Sequence, residues 1–225
     1  MSISSIFANQ KCIEEWLEAS SRTIKKDPRN KAALYIHVAL DELCDLYTRT
    51  LNKETDINRL AKRHEIFDRF EQAAQTGYPR GMFFEGLARR EGFGCKQDAE
   101  TGKALIQVAG VARNCELALN YLGVSYFKSA PETAVNFFKQ ATVSGYPQAF
   151  KNLGLANLYG IGIKQSFAEA IRCFKKAGYV AQAELALVAE YIDRLQSRLR
   201  HQENNVVSLE QVSKVVSVAK LGLRK

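Results

Sequence analysis

Four prolines and fourteen glycines in 225 residues are too few to punctuate the many short strands of a β-sandwich or barrel, so a helical fold is expected. The chain holds no apolar run of the roughly 18–20 residues that a bilayer span requires. Its opening residues Met1–Ala8 have neither a basic segment nor a long apolar one, so a cytoplasmic location and no membrane insertion are expected. Cysteine is scarce and odd in number, five in all. Cys12, Cys44, Cys95, Cys115 and Cys173 form no CxxC pair and no metal-like spacing, which favours reduced thiols acting as small apolar residues. Histidine is scarcer still. His37, His64 and His201 fall on separate expected helices, with no HExxH and no neighbouring cysteine, so no catalytic triad, metal site or cofactor site is expected.

What is present is of ordinary globular composition: 46% hydrophobic, 25% charged and 10% aromatic residues, with a net charge of +8. Residues 145–225 carry +6 of that excess. No dense basic run occurs there, and Arg172, Lys175 and Lys176 fit one solvated helix face. The charge nevertheless supports a rival reading, a nucleic-acid-associated regulator using its basic C-terminal half, whose binding would weaken steeply with salt.

The chain repeats itself. Gly77-Tyr78-Pro79 returns as Gly145-Tyr146-Pro147, and Gly77, Gly110, Gly145 and Gly178 are spaced by 33, 35 and 33 residues. A second series, Gly86, Gly123 and Gly154, follows the first three members. In residues 145–178 the pattern is a helix opened by Pro147, a loop Gly160-Ile161-Gly162-Ile163-Lys164-Gln165, a second helix, and a stop at Gly178. Proline suits a first helical turn and glycine a left-handed C-terminal cap. Ala149, Phe150 and Leu153, then Ala170, Phe174 and Ala177, recur at three- and four-residue steps and give each helix one apolar stripe. Gly154 inside the first helix costs about 1 kcal/mol against alanine, and close approach of a neighbouring helix is the expected return.

Residues 77–110 repeat this pattern, with Gly92-Phe93-Gly94-Cys95-Lys96-Gln97 in the loop. That recurrence marks the loop as architecture, because GxxxxGK[ST] spacing is missing and no strand precedes it. Cys95 beside Lys96 is a candidate for a lowered pKa, against the plainer reading of a small residue standing where Ile163 stands. Residues 111–144 depart: Lys128-Ser129-Ala130-Pro131 replaces the glycine loop and predicts a tight turn.

Leu153-Gly154, the Gly160-x-Gly162-Ile163 loop and the Ala170, Phe174, Ala177 series resemble the Sel-one-like repeat, a relative of the tetratricopeptide repeat. Glu85, Asn157 and Gly81 depart from its pattern, where Leu, Tyr and Ala are expected. The resemblance implies an all-α solenoid of antiparallel helix pairs with a right-handed superhelix and about eleven helices. Its organisation would be N-terminal helices with a divergent repeat at 1–76, repeats at 77–110, 111–144 and 145–178, and capping helices at 179–225, forming one continuous solenoid. Within 1–76, helices are expected over 31–49 and 56–75, and Cys12–Leu17 begins a stretch resembling a second tetratricopeptide helix. In 179–225, helices are expected over 181–200 and 208–220.

Such repeats line a concave groove with the first helix of each pair. Carrying over the groove positions gives Arg80, Phe83, Leu87 and Arg90, then Leu117, Asn120, Val124 and Phe127, then Gln148, Lys151, Leu155 and Leu158. Arg80, Phe83, Arg90, Asn120, Phe127, Gln148, Lys151 and Leu155 are the expected partner contacts, the apolar ones receiving an amphipathic segment and the cations selecting acidic or polar groups. The function implied is a non-enzymatic protein-interaction scaffold or adaptor, of a kind common in bacteria. Its small size also suits an immunity protein, an inhibitor or an effector. Oligomeric state has no signature in the residues.

Overall fold

Proline opens three of the helices, at Pro79, Pro131 and Pro147, in the first turn, where its missing N–H leaves no bond unmade. In the computed structural model, residues 10–49, 56–178, 190 and 193–194 are described. The order is α1 (Gln10–Lys26), α2 (Lys31–Arg49), α3 (Asp56–Gln75), α4 (Pro79–Glu91), α5 (Ala99–Gln107), α6 (Glu116–Tyr126), α7 (Pro131–Val143), α8 (Pro147–Tyr159) and α9 (Phe167–Lys176). Every regular element among the described residues is helical, so the fold is all-α. Helices α2 and α3 have the bounds that their periodicity predicts, and Pro131 starts α7 after a tight turn. The two helices expected within 179–225 lie outside the described residues.

The chain divides into two bodies, residues 1–149 and 150–225. In the first, α1 packs on α2, α2 on α3, α3 on α4, α4 on α5 and α6 on α7, while the first helices α2, α4 and α6 lie side by side. An aromatic ladder runs through this core. Phe70 stacks on Phe84 at 5.1 Å, Trp16 meets Phe84 edge-on at 5.1 Å, and Phe83 reaches Tyr121 at 5.9 Å, spacings at which aromatic pairs add to simple burial. In the second body, Ala170 and Phe174 of α9 are fully buried, with Leu155 and Leu158 of α8 packed on them.

Close approach explains the mid-helix glycines. A Cβ on Gly154 would lie 2.6 Å from Phe174 Cε1, and one on Gly123 would lie 2.4 Å from the same atom of Phe138. In these two pairs the glycine of the first helix seats a ring of the second, whereas Gly86 of α4 lies against Gly102 O and Ile106 of α5.

One junction departs from the glycine period. Gly110 does not stop α5. The helix continues through it as a π-helical turn, Val108–Ala112, and the left-handed residue is Asn114, at φ 52°. Asparagine tolerates that conformation better than most residues because its short polar side chain can bond locally. The first helices therefore begin at Pro79, Glu116 and Pro147, at intervals of 37 and 31 residues.

Candidate binding surface on the first helices

The loops between paired helices show what is scaffold. In residues 88–101, the Phe93 N–H donates to Ala88 O at 2.9 Å, Asp98 N–H to Arg89 O at 2.8 Å, and Gln97 Nε2 to Arg90 O at 3.0 Å. In residues 156–169, Ile161 N–H donates to Ala156 O at 3.0 Å, Ser166 N–H to Asn157 O at 2.9 Å, and Gln165 Nε2 to Leu158 O at 2.8 Å. The two glycines of each loop take the same left-handed φ, between 67° and 70°. Asp98 and Ser166 then cap the following helices, accepting from Thr101 N–H at 3.0 Å and Glu169 N–H at 3.4 Å. These donors close the turn on itself rather than pointing at an anion. The two turns are therefore built alike.

No family model and no curated protein matches the chain. Solved structures similar to it include two with helical repeats. One is a protective antigen present in uropathogenic Escherichia coli strains and displaying an SLR fold, 25% identical, with a TM-score of 0.45 over 50% of this chain and 25% of that one. The other is a Sel1 repeat protein from Oxalobacter formigenes, 22% identical, with a TM-score of 0.45 over 80% of this chain and 50% of that one. The chain thus spans a quarter of the length of the first and half of the second.

The second residue of each first helix is Arg80, Leu117 and Gln148, and α1 bonds the two ends of this row. Arg80 Nη1 donates to Thr23 Oγ1 at 2.9 Å and to Ala19 O at 3.3 Å. Its Nε donates to Glu116 Oε1 at 2.9 Å, and its Nη2 pairs with the same carboxylate. Burial pulls the Arg80 pKa down, but the Glu116 carboxylate more than offsets it and the guanidinium is held above its ordinary value. Gln148 Nε2 donates to Glu15 Oε1 and Oε2 at 2.8 and 2.7 Å. Leu117, between them in the row, is buried in the core that holds Ile13 and Trp16. The side chains of α1 thus bond the starts of α4 and α8 as well as packing on α2.

This placement corrects several groove assignments. Phe83, an expected partner contact, is 1% exposed beneath Trp16, with ring centroids 6.1 Å apart. Leu87 and Leu117 are likewise core residues. Arg80 and Gln148 hold α1. Arg90 lies over the Tyr121 ring at 5.5 Å, Phe127 tilts against Phe138 at 6.2 Å, and Asn120 is half-buried on α6. Val124, one turn beyond Asn120, is 56% exposed. In the second body, Lys151 is half-buried and Leu155 packs against α9.

Residues that depart from the repeat pattern have found partners. Glu85, buried where leucine is expected, accepts from Arg89 Nε at 2.6 Å, and Arg89 also bonds Glu71 at 2.9 Å and covers the Phe67 ring at 5.2 Å. Asn157, buried where tyrosine is expected, donates Nδ2 to Leu153 O at 2.8 Å. Burial raises the Cys95 pKa; Arg89 opposes this, and Glu85 and Glu71 add to it. That direction agrees with the plainer reading of Cys95 as a small residue standing where Ile163 stands, and not with a pKa lowered by Lys96. Among the described residues no cluster of His, Cys, Asp and Glu could hold a metal ion, and no helix is long and apolar enough to cross a membrane.

Proposed function

We propose that the chain is a protein-interaction scaffold, without chemistry of its own, that holds a helical segment of a partner on the face built by its first helices. The observation that carries this reading is the row Arg80, Leu117 and Gln148. One position, repeated in successive pairs, carries a donor, an apolar side chain and a second donor, and its two donors already hold one helix, α1, which supports reading this face as one that takes a helix. The self-closed loops support it, because their polar groups maintain the turn. Further along α4 and α6, Arg90, Asn120 and Phe127 of the first body supply charge, amide and aromatic surface to select among partners, and Lys151 of the second body supplies a further cation of its own.

The test is affinity capture from lysate of the native source with the tagged chain, washed at high salt after nuclease treatment. The expected result is a discrete protein retained by the wild type and lost by Arg90→Glu/Lys151→Glu, with the far-UV spectrum and melting temperature unchanged. Capture abolished by nuclease or salt alone would replace this reading with nucleic-acid binding. Equal capture by the double variant would move the binding site off this face.

A further inference from the structure

Helix α1 is held to the first body by a narrow stripe, to which Ser20 adds one hydrogen bond with His37 of α2 at 2.9 Å. Among its residues whose burial is described, Ile13, Trp16 and Ser20 are the buried ones, at steps of three and four, with Leu17 half-buried beside them. The 13-residue α4 buries seven. The second line on α1 is Glu15, Ala19 and Thr23, also at four-residue steps, and each offers an acceptor that a first-helix donor uses. Lys11, Glu18, Arg22, Lys25 and Lys26 on the remaining surface are exposed. An amphipathic helix docked in a groove has this arrangement.

Removing α1 would leave no charge stranded. Arg80 keeps Glu116 as its ion pair when Thr23 and Ala19 are gone, and Glu15 passes to water. Helix α2 does not depend on α1 for its start, because Asn30 Oδ1 accepts from Ala33 N–H at 2.9 Å and caps it locally. Between the two helices lies the turn Asp27–Asn30, held by the Asn30 N–H donating to Asp27 O at 3.2 Å.

We infer that α1 is a built-in stand-in for the partner: it covers the first-helix row in the resting chain and yields to an amphipathic helix of a partner protein bearing the same pattern. That pattern is an aromatic anchor, an aliphatic residue three positions before it, a carboxylate one position before it and a hydroxyl seven positions after it. The inference rests on the scaffold reading. A tethered helix acts at an effective concentration on the order of millimolar. The observed affinity for any partner is therefore reduced by the fraction of time α1 is docked.

The probe is a dye-labelled peptide with the sequence of residues 10–26, added to the full chain and followed by anisotropy. Ile13→Asp loosens α1 without touching the first-helix row. The expected result is at least tenfold tighter peptide binding to I13D than to wild type, with the gain removed by adding Arg80→Met. Trp16 is the only tryptophan, so its emission moving toward that of a hydrated indole in I13D reports undocking directly. A folded, undocked I13D chain that binds peptide no better than wild type overturns the inference. Hydrogen exchange on the unmodified chain decides the matter independently of that variant. Amides of α1 should exchange at least tenfold faster than those of α4 and α6, through an opening insensitive to denaturant; protection equal to that of α4 overturns the stand-in. Undiminished partner capture with peptide bound would overturn both the stand-in and the face assignment. An α1 that never opens, with capture lost in the Arg90→Glu/Lys151→Glu variant, would overturn the stand-in alone.

Discussion

Gly123→Ala sets two known effects against each other. Alanine in place of a mid-helix glycine contributes about 1 kcal/mol through backbone entropy. The new methyl, however, would lie 2.4 Å from Phe138 Cε1, 2.6 Å from Cδ1 and 3.1 Å from Cζ, where carbon atoms normally rest about 3.5–4 Å apart. Phe138 is 1% exposed and has Phe127 against it, so its ring cannot swing aside and the helices must part. Such overpacking costs about 1–3 kcal/mol, and the net expectation is a loss of about 1–2 kcal/mol. Gly110→Ala is the control. Its nearest contact is Leu122 Cδ1 at 3.0 Å, the tip of a flexible side chain, so the entropic gain should survive and stability should match or exceed wild type. Urea midpoints by far-UV circular dichroism measure the difference, with m-values unchanged if the compared states are the same. A G123A chain as stable as G110A would refute the close-packing account. Adding Phe138→Leu should recover part of the G123A loss, a coupling expected only if the ring is the obstacle.

Two further substitutions test the row and the capping cysteine. Arg80→Met leaves the mostly buried Glu116 carboxylate without its partner and should cost about 3 kcal/mol, part of which returns on adding Glu116→Gln; a double variant no more stable than R80M would count against the ion pair in urea unfolding. Cys115, buried at the start of α6, has its thiol pKa pushed up to about 12, first by burial and then by Glu116. The folded state holds the neutral thiol, so this contribution is complete below the ordinary value of 9.0 and is lost as pH rises from there towards 12. The stability difference between wild type and Cys115→Ala should therefore shift against the wild type over that interval, and parallel pH profiles would contradict it.

The sequence carried the parts of the fold that depend on local rules. Gly154 and Phe174 announce each other through a glycine where a helix disfavours one and a ring one helix later, and the Gly92 and Gly160 loops repeat because the same hydrogen bonds close them. The capping residues Asp98 and Ser166 differ in type but share an acceptor oxygen. Tertiary choices were hidden. The apolar stripe of α1, Ile13, Trp16 and Leu17, states that one face is buried and does not say against what, so a place in the repeat series and a place across it fit equally well. Phe83 is a groove position by register, and Trp16 turns it into core. Gly110 has the spacing of a cap, while the two-residue difference between glycine intervals gives no hint of a π turn. Glu85 and Asn157 read as flaws in the pattern because their remedies, Arg89 and the Leu153 carbonyl, are visible only in three dimensions.

That π turn changes what a length mutation means in this chain. An extra residue in an α-helix rotates everything beyond it by about 100°, which would turn the next buried stripe out of the core. Here the surplus between the first two pairs is absorbed at the end of α5 and at Asn114. Pro79, Glu116 and Pro147 each stand seven residues before the glycine on which the paired helix closes, Gly86 against Gly102 and Ile106, Gly123 against Phe138 and Gly154 against Phe174. Every first helix therefore resets the count, and an insertion or deletion confined to the residues before such a start is a local error that does not propagate down the array.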